Sequence, residues 1–552
     1  MKLFSKRYLG LSGTKLNIAI GIIAGIDFLL FGYDQGVIGG LLTLKQFTSV
    51  FPEIDTTAEG VRGLTPSQAN HRSTIQGISI ASYNLGCFCG AIACIWIGDL
   101  LGRRKTIFLG SSTMIVGAAL QASAFSLPHF IVGRIITGMG NGLNTSTVPT
   151  WQSECSKSHR RGQLVMIEGA LITGGICISY WIDFACSFIN SQASWRFPIA
   201  FQIVFALIIL AFILELPESP SRWLILKGQE EEALQVLATL SDKSTDDKYV
   251  RSEFAAIKDT VLEQEKATFR DLFTMDENRH FHRVVLAYAN QVMQQISGIN
   301  LITYYAATIY QNEIGLSGFI SRILAACNGT EYFLASWIAV FIIEKVGRRK
   351  LMIFGAIGQS ASMIILAVMT KIGGTGPGWV AAVFLFIFNS FFAIGWLGMT
   401  WLYPAEIVPL KIRAPSNALS TSANWIFNFM VVMITPVSFS SIKWKTYLIF
   451  AVINAAMIPV VYFFYPETAM RSLEEMDGIF HKTKNIFTVV WTAKHEPHRY
   501  GKHGEVLIDY EETGEHERRM SQAERRGSVM SRGSATEYGS EKVAGAAKED
   551  ER

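Results

Sequence analysis

The sequence predicts an all-α membrane protein of twelve transmembrane helices, arranged as two repeats of six. Three observations predict it. Apolar stretches of spanning length alternate with clustered charge, basic residues gather on one side of those stretches, and three motifs recur in order across the two halves. Half of the 552 residues are hydrophobic and 12% aromatic, while only 17% are charged. A soluble chain carries about a quarter. The charges crowd into residues 1–15, 52–72, 98–105, 157–161, 217–283, 344–350 and everything past 467. Most of the apolar gaps run near the ~20 residues that cross a ~30 Å hydrocarbon core.

Taken in order, the first six spans are expected at 17–42, 74–97, 106–125, 129–151, 163–186 and 196–216. The second six follow at 283–310, 319–343, 351–371, 379–404, 414–437 and 446–466. This divides the chain into an N-terminus (1–16), an N-terminal six-helix bundle (17–216), a polar, partly helical linker (217–282), a C-terminal bundle (283–466) and a largely disordered polar tail (467–552). Lys2, Lys6, Arg7 and Lys15 lead straight into the first span without a small-residue cleavage site, so no cleavable signal is expected. The N-terminus, GRRK at 102–105, HRRG at 159–162, the linker and GRRK at 347–350 fall on one side under this count. The positive-inside rule makes that side cytoplasmic, with both termini there, and puts the 43–73 loop with Glu53, Asp55 and Glu59 outside.

Several function classes drop out. A net charge of +4 gives no sign of a nucleic-acid partner, and no Walker loop supports ATP hydrolysis or an enzyme. The seven cysteines form no paired framework, and the CFC at 87–89 lacks a second ligand pair, so neither metal nor cofactor is expected. The sequons NTS at 144–146 and NGT at 328–330 fall inside spans and should stay unmodified, and RRGS at 525–528 makes Ser528 a weak kinase motif.

The halves repeat. GDLLGRRK at 98–105 is answered by IEKVGRRK at 343–350, an offset of 245. Glu154 precedes Arg161 by seven positions, as Glu406 precedes Arg413, an offset of 252. PESPSR at 217–222 is matched by PETAMR at 466–471, an offset of 249. Three matches in register indicate a parallel duplication, an architecture of transporters whose site lies between the halves. Each set places arginines and carboxylates at cytoplasmic helix ends: Asp99, Arg103, Arg104, Glu154 and Arg161 in the first half, Glu344, Arg348, Arg349, Glu406 and Arg413 in the second. They can pair across helices and with helix C-terminal dipoles, as a latch that closes the inner side in one conformation. A plainer reading takes each lone GRRK as a topology signal.

One acid stands out. FLLFGYDQGV at 28–37 is the middle of an oily helix, yet carries Asp34, at a cost of roughly 2.5–3.5 kcal/mol on insertion scales. Asp34 lies 17 residues up the first span, roughly 26 Å, and Arg134 about five residues into the inward-running fourth, roughly 8 Å below the outer face. The two depths agree, and an intramembrane arginine needs a partner. Approach of Arg134 favours the ionised carboxylate and its withdrawal favours the protonated acid, which is one way to couple a proton to transport. A permanent structural ion pair is the alternative. Asp27, one heptad earlier on nearly the same face, and Glu331 in the eighth span are further intramembrane acids, each a second proton site or a hydrogen-bonded structural residue.

The strings GDLLGRRK, VGRIITGMGNG, PTWQSE, PESPSRWL, QQISGIN, EKVGRRK, WLYPAEIVPLKIR and PETAMRSLEEMD resemble the sugar porter family of the major facilitator superfamily over about residues 15–480. NTSTVPTWQSE, YWIDF and NWIFNFMVVMITP look most like its fungal proton-coupled monosaccharide and glycerol-type members. The resemblance implies the major facilitator fold with alternating access, a plasma-membrane location, and a proton-coupling role for the Asp34 and Arg134 positions. It implies substrate contacts from Gln294, Gln295 and Asn300 of the seventh span, Trp401 of the tenth and the Asn424–Trp425 pair of the eleventh. Amides suit this task because each offers donor and acceptor without charge; ordinary interhelical hydrogen bonding is the plainer role. Glu168–Gly169 stands where the family commonly has Asn–Gln, Tyr332 replaces a common asparagine, and Gly398 and Thr400 replace prolines. Glu168 therefore joins the expected pocket, and a pentose or a polyol stays open beside a hexose. The expected function is import of a neutral sugar or polyol with a proton across the lipid bilayer. The alternatives are a proton-independent facilitator and a non-transporting sugar receptor on the same fold.

Overall fold

The computed structural model describes residues 7–155, 161–219, 223–248, 250–251, 254–255, 257–258, 269–275, 278–471 and 473–497. Ser528 lies outside them, as do the side chains of Asp99 and Arg161. The first half comprises α1 Gly13–Leu41, α2 Pro66–Leu101, α3 Arg103–Ala122, α4 Leu127–Cys155, α5 Arg161–Cys186 and α6 Ala193–Ile213. The second comprises α7a His280–Ile296 with α7b Ile299–Thr308, α8 Gly318–Val346, α9 Arg348–Ile372, α10a Thr375–Gly395 with α10b Met399–Ile407, α11 Arg413–Ile442 and α12 Lys445–Phe464. Among the described residues, nine helical stretches are long and apolar enough to cross a membrane. The other three spans have visible reasons to fall short: α3 opens on Arg-Arg-Lys, α4 carries Arg134, Asn141, Asn144 and four glycines, and α7 is broken.

Two features differ from the expected spans. The α2 helix starts at Pro66, eight residues before the expected 74, because Thr65 caps it reciprocally with Gln68 and proline fits its first turn. The seventh and tenth spans are each two helices. Gly298 has φ +102°, a left-handed conformation open to glycine, and a Cβ there would meet Met363 Cε at 2.9 Å.

Helix pairing repeats between the halves. The touching pairs α1–α5, α2–α4, α3–α4 and α3–α6 recur as α7–α11, α8–α10, α9–α10 and α9–α12. Across the divide, α2 packs on α11, α5 on α8 and α1 on α7b. Lipid supplies no hydrophobic drive between helices, so close approach depends on small residues. Gly86 of α2 packs against Gly138 of α4, and a Cβ on Gly142 would lie 2.2 Å from the Cys87 carbonyl. On α1, Gly32 and Gly36 admit Ile172 and Ser179 of α5 in the same way.

The basic loops share one end, named the inner end after the positive-inside expectation, and the opposite end is named the outer end. At the outer end the halves are tied together. Ser440 donates to Asn70 at 2.7 Å, Tyr180 to the Thr303 carbonyl at 2.8 Å, Tyr304 to Asn84 at 3.2 Å and Trp181 Nε1 to Thr330 at 2.8 Å. On the inner side, the linker helix Glu230–Ser241 meets the start of α1, where Asn17 donates to the Leu240 carbonyl at 3.1 Å. Past α12, helices Leu473–Lys482 and Val489–His495 pack back. Buried Arg283 of α7a reaches Asp477 at 2.5 Å and stands 4.3 Å over the Phe480 ring. Val489 and Ala493 are buried where the second of these helices packs back.

Candidate functional site

The site is built from three groups of side chains. The first is ionic. Asp34 of α1 and Arg134 of α4 are both fully buried, with Nη1 and Oδ1 3.6 Å apart, an ion pair longer than a hydrogen bond. Among the described residues no hydrogen bond of ordinary geometry reaches either Asp34 oxygen, and the Tyr83 hydroxyl is a donor close to it. Arg134 is held instead from α2: its Nη2 donates to the Ile80 carbonyl at 3.1 Å, and its guanidinium lies 4.7 Å over the Tyr83 ring. The carboxylate is therefore the loosely held member.

The second group is a string of amides at the α7 break. Asn300 donates to Gln295 at 2.5 Å, Gln295 to Gln294 at 2.6 Å, and Asn424 of α11 to Gln291 at 2.8 Å and Gln294 at 3.4 Å. Gln294, Gln295, Asn300 and Asn424 thus come together. Gln291, which the QQISGIN motif does not include, joins them, and its own amide donates to the Thr400 carbonyl at 2.9 Å, just after the α10 break. Trp401, the next residue, is half-buried. Glu168 of α5 is buried within electrostatic reach of Asp27 rather than hydrogen-bonded into the amide string. Tyr332 packs edge-on against Phe392, 6.2 Å between centroids, and offers the string no replacement amide. Glu331 accepts from Ser390 beside an open groove of about 470 Å³ that Trp181 and Leu334 help line.

One side chain joins the two groups. Trp425 is fully buried next to Asn424, and its ring meets Phe31 of α1 at 5.4 Å and Tyr83 of α2 at 6.4 Å, both edge-on. A contact chain therefore runs from the amides through Asn424, Trp425 and Tyr83 to Arg134. The resemblance gives Trp425 a place in the pocket, but Tyr83 carries no motif that sequence reading could weigh.

The third group sits at the inner end and occurs twice. Arg103 bonds Glu154 through Nε at 3.3 Å, and its backbone N–H donates to Glu218 at 2.9 Å. Arg104 lies 3.5 Å from Glu218 and donates to the Leu216 carbonyl at 2.7 Å. In the second half Arg348 bonds Glu406 and Glu344, each at 2.7 Å, and its backbone N–H donates to Glu467 at 2.8 Å. Arg349 donates to the Tyr462 carbonyl at 2.7 Å, and Arg413 to that of Val408 at 3.0 Å. Even the supports match: Trp151 Nε1 donates to the Pro217 carbonyl and Tyr403 to that of Pro466. Gly102 (φ +85°) and Gly347 (φ +94°) make the turn, and a Cβ would lie 3.0 Å from the Glu218 carboxylate and 2.5 Å from that of Glu467. These described bonds each close within one half. Glu218 and Glu467 are the partners that sequence reading left out, although the PES and PET strings contain them.

Comparison with known proteins agrees with this architecture. Residues 20–480 match the family model described as "Sugar (and other) transporter". The chain is 43% identical over 499 residues to the sugar transporter STL1 of Saccharomyces cerevisiae, covering 88% of this chain and 85% of that one. It is 40% identical over 484 residues to the MFS-type transporter oryC of Aspergillus oryzae, covering 86% and 87%. Its fold superimposes on the MFS proton:xylose symporter XylE bound to 6-bromo-6-deoxy-D-glucose with a TM-score of 0.71 at 25% identity, covering 85% of this chain and all of that one.

Proposed function

The chain belongs to the sugar transporter family, a multi-pass membrane family, and from that premise we propose that it imports a neutral sugar or polyol together with a proton across the plasma membrane. The observation that carries the proton is the Asp34–Arg134 pair: buried, 3.6 Å apart, with the arginine anchored to α2 and the carboxylate held by no more than the nearby Tyr83 hydroxyl. A small shift of α1 against α4 changes the charge that Asp34 faces, and with it the hold on a proton. The amides at the α7 break supply neutral donors and acceptors for hydroxyl groups. Substrate drawing Gln294 and Asn424 together moves Trp425, and Trp425 bears on Tyr83 and hence on Arg134. That chain couples solute to proton in alternating access. The arginine–carboxylate sets at the inner end and the cross-half bonds at the outer end suit a pair of latches that close in turn, with α10b still packed on α5. The inner end then faces the cytoplasm. The kinship with a xylose symporter and a sugar transporter supports the solute class.

The test is external pH in a weakly buffered suspension of carrier-deficient cells, with glucose, xylose and glycerol added in turn. Alkalinisation with one solute, absent in Asp34→Asn cells, is the expected result and identifies the substrate. Entry without alkalinisation leaves a facilitator. Failure of every solute to enter moves the protein toward a receptor.

A further inference from the structure

Asp34 has a buried counterpart deeper along the same helix. Asp27 lies seven residues earlier on α1, a heptad that returns to nearly the same face, about 10.5 Å nearer the inner end. It is 2% exposed. Both acids face α4: Asp34 opposes Arg134, and Asp27 opposes Asn144, whose Nδ2 donates to Asp27 Oδ1 at 2.7 Å and to Ser111 of α3 at 3.0 Å. Between Arg134 and Asn144, on the same face of α4, stands buried Asn141, a heptad from Arg134. The Asn141 amide donates to Cys87 Sγ of α2 at 3.6 Å, so polar side chains of α4 stand at intervals between the two acids without a continuous hydrogen-bonded path among the described residues.

The environment of Asp27 is unlike that of Asp34 in one respect. Among the described residues no cation pairs with it, and its Oδ2 is buried without a hydrogen-bond partner. The groups facing it are Asn144 from α4, Ser111 from α3 and, within electrostatic reach from α5, the acid Glu168. Burying an unpaired carboxylate, with a second acid nearby, is costly in the charged form, and a hydroxyl on Oδ2 removes the cost. A purely structural acceptor would need only Oδ1; the second oxygen is unexplained by the Asn144 bond.

We propose that Asp27 is a second proton-carrying carboxyl of the transport cycle, which receives the proton from Asp34 along the Asn141–Asn144 face of α4 and passes it toward the inner end. The step is a proton transfer only: the Asp34 O–H bond breaks, an Asp27 O–H bond forms, and the charge left on Asp34 is met by Arg134. Glu168, near Asp27 and nearer the inner end of α5, is the next acceptor on that path. The proposal rests on the proton-symport reading above.

The Asp27→Asn variant separates the two roles, because an asparagine is nearly isosteric and still accepts from Asn144. Protein reconstituted in vesicles would be assayed with whichever of labelled glucose, xylose or glycerol the wild type transports. Two readouts are needed: accumulation driven by an inward proton gradient, and counterflow exchange at equal pH on both sides. Expected is a loss of about tenfold or more in accumulation, roughly the ratio a coupling of ~1.4 kcal/mol represents, with counterflow within about twofold of wild type and accumulation recovered in Asp27→Glu. Wild-type accumulation in Asp27→Asn overturns the proposal, and so does parallel loss of both activities in protein correctly inserted. Should Asp27→Asn fail to insert, Asn141→Ala carries the test, with the same split expected and unchanged accumulation overturning the route. Wild-type protein that exchanges solute but never accumulates it sinks the symport reading and the relay together, whereas a wild type that accumulates beside an unaffected Asp27→Asn sinks the relay alone.

Discussion

At the scale of single residues, the structure separates groups that hold from groups that are held. Gln295 is the hinge of the amide string, donating to Gln294 and accepting from Asn300. Its replacement by alanine removes both bonds at the α7 break without adding charge. A neutral hydrogen bond is worth about 0.5–1.5 kcal/mol net, so Gln295→Ala should raise KM for the transported solute by about 3- to 10-fold. Initial-rate uptake measures it, and an unchanged KM would remove Gln295 from the site. Sequence legibility at this scale followed chemistry. Asp34 and Arg134 were readable because charge in an oily span is costly, and the GRRK arginines because they recur. Tyr83 and Gln291 were not. An aromatic ring in a membrane helix, or one more glutamine before QQISGIN, is unremarkable until folding shows what it faces.

At the scale of elements, turns matter more than spans. The GRRK turns are shaped by glycines that bring a backbone N–H of the next helix onto Glu218 and Glu467. At Gly347, alanine would impose a left-handed φ, costing about 1–2 kcal/mol, and press on the Glu467 carboxylate. Gly347→Ala should therefore lower the thermal midpoint of detergent-solubilised protein by a few degrees, more than the same change at Gly376, where a Cβ has open space. The outer end has its own titratable element. Glu313 ends the π-helical turn Ile309–Glu313 beyond α7b, and burial pushes its carboxyl up to about 7, against the pull of Lys443. Tyr447 also faces it. A closed outer end thus holds this proton more tightly than an open, hydrated one, and its stabilisation fades as pH rises from the ordinary carboxylate range through about 7. Thiol labelling of Ser440→Cys, divided by the rate of a fully exposed reference thiol so that thiolate ionisation cancels, should quicken between about pH 5 and about pH 7. Glu313→Gln should flatten that rise; a pH-independent ratio in the parent variant would count against it. The spans were legible where length and hydropathy suffice, as they do for nine helical stretches among the described residues, and the paired motifs place the rest. The break in α7 is expected beside QQISGIN, but nothing local marks Gly298, one of 47 glycines, as left-handed, and the break in α10 carries no signal of its own.

At the scale of the whole molecule, alternating access requires the outer ties to open. Asn70 and Ser440 meet across the halves at 2.7 Å. Cysteines at both positions should cross-link under mild oxidation and stop uptake, with reductant restoring it; uptake that persists in fully cross-linked protein would mean that α2 and α11 do not part there.

The inner ionic sets have a further consequence for how the protein is assembled. The described carboxylate contacts of Arg103, Arg104 and Arg348 each stay with their own half, Glu218 lying just past α6, and the seam between halves is made of α2 on α11, α5 on α8 and α1 on α7b. Nothing in that arrangement asks the two bundles to be one polypeptide. Two messenger RNAs, one ending and the other beginning within residues 261–268, should yield fragments that insert separately, meet in the bilayer and transport together, while either fragment alone stays idle.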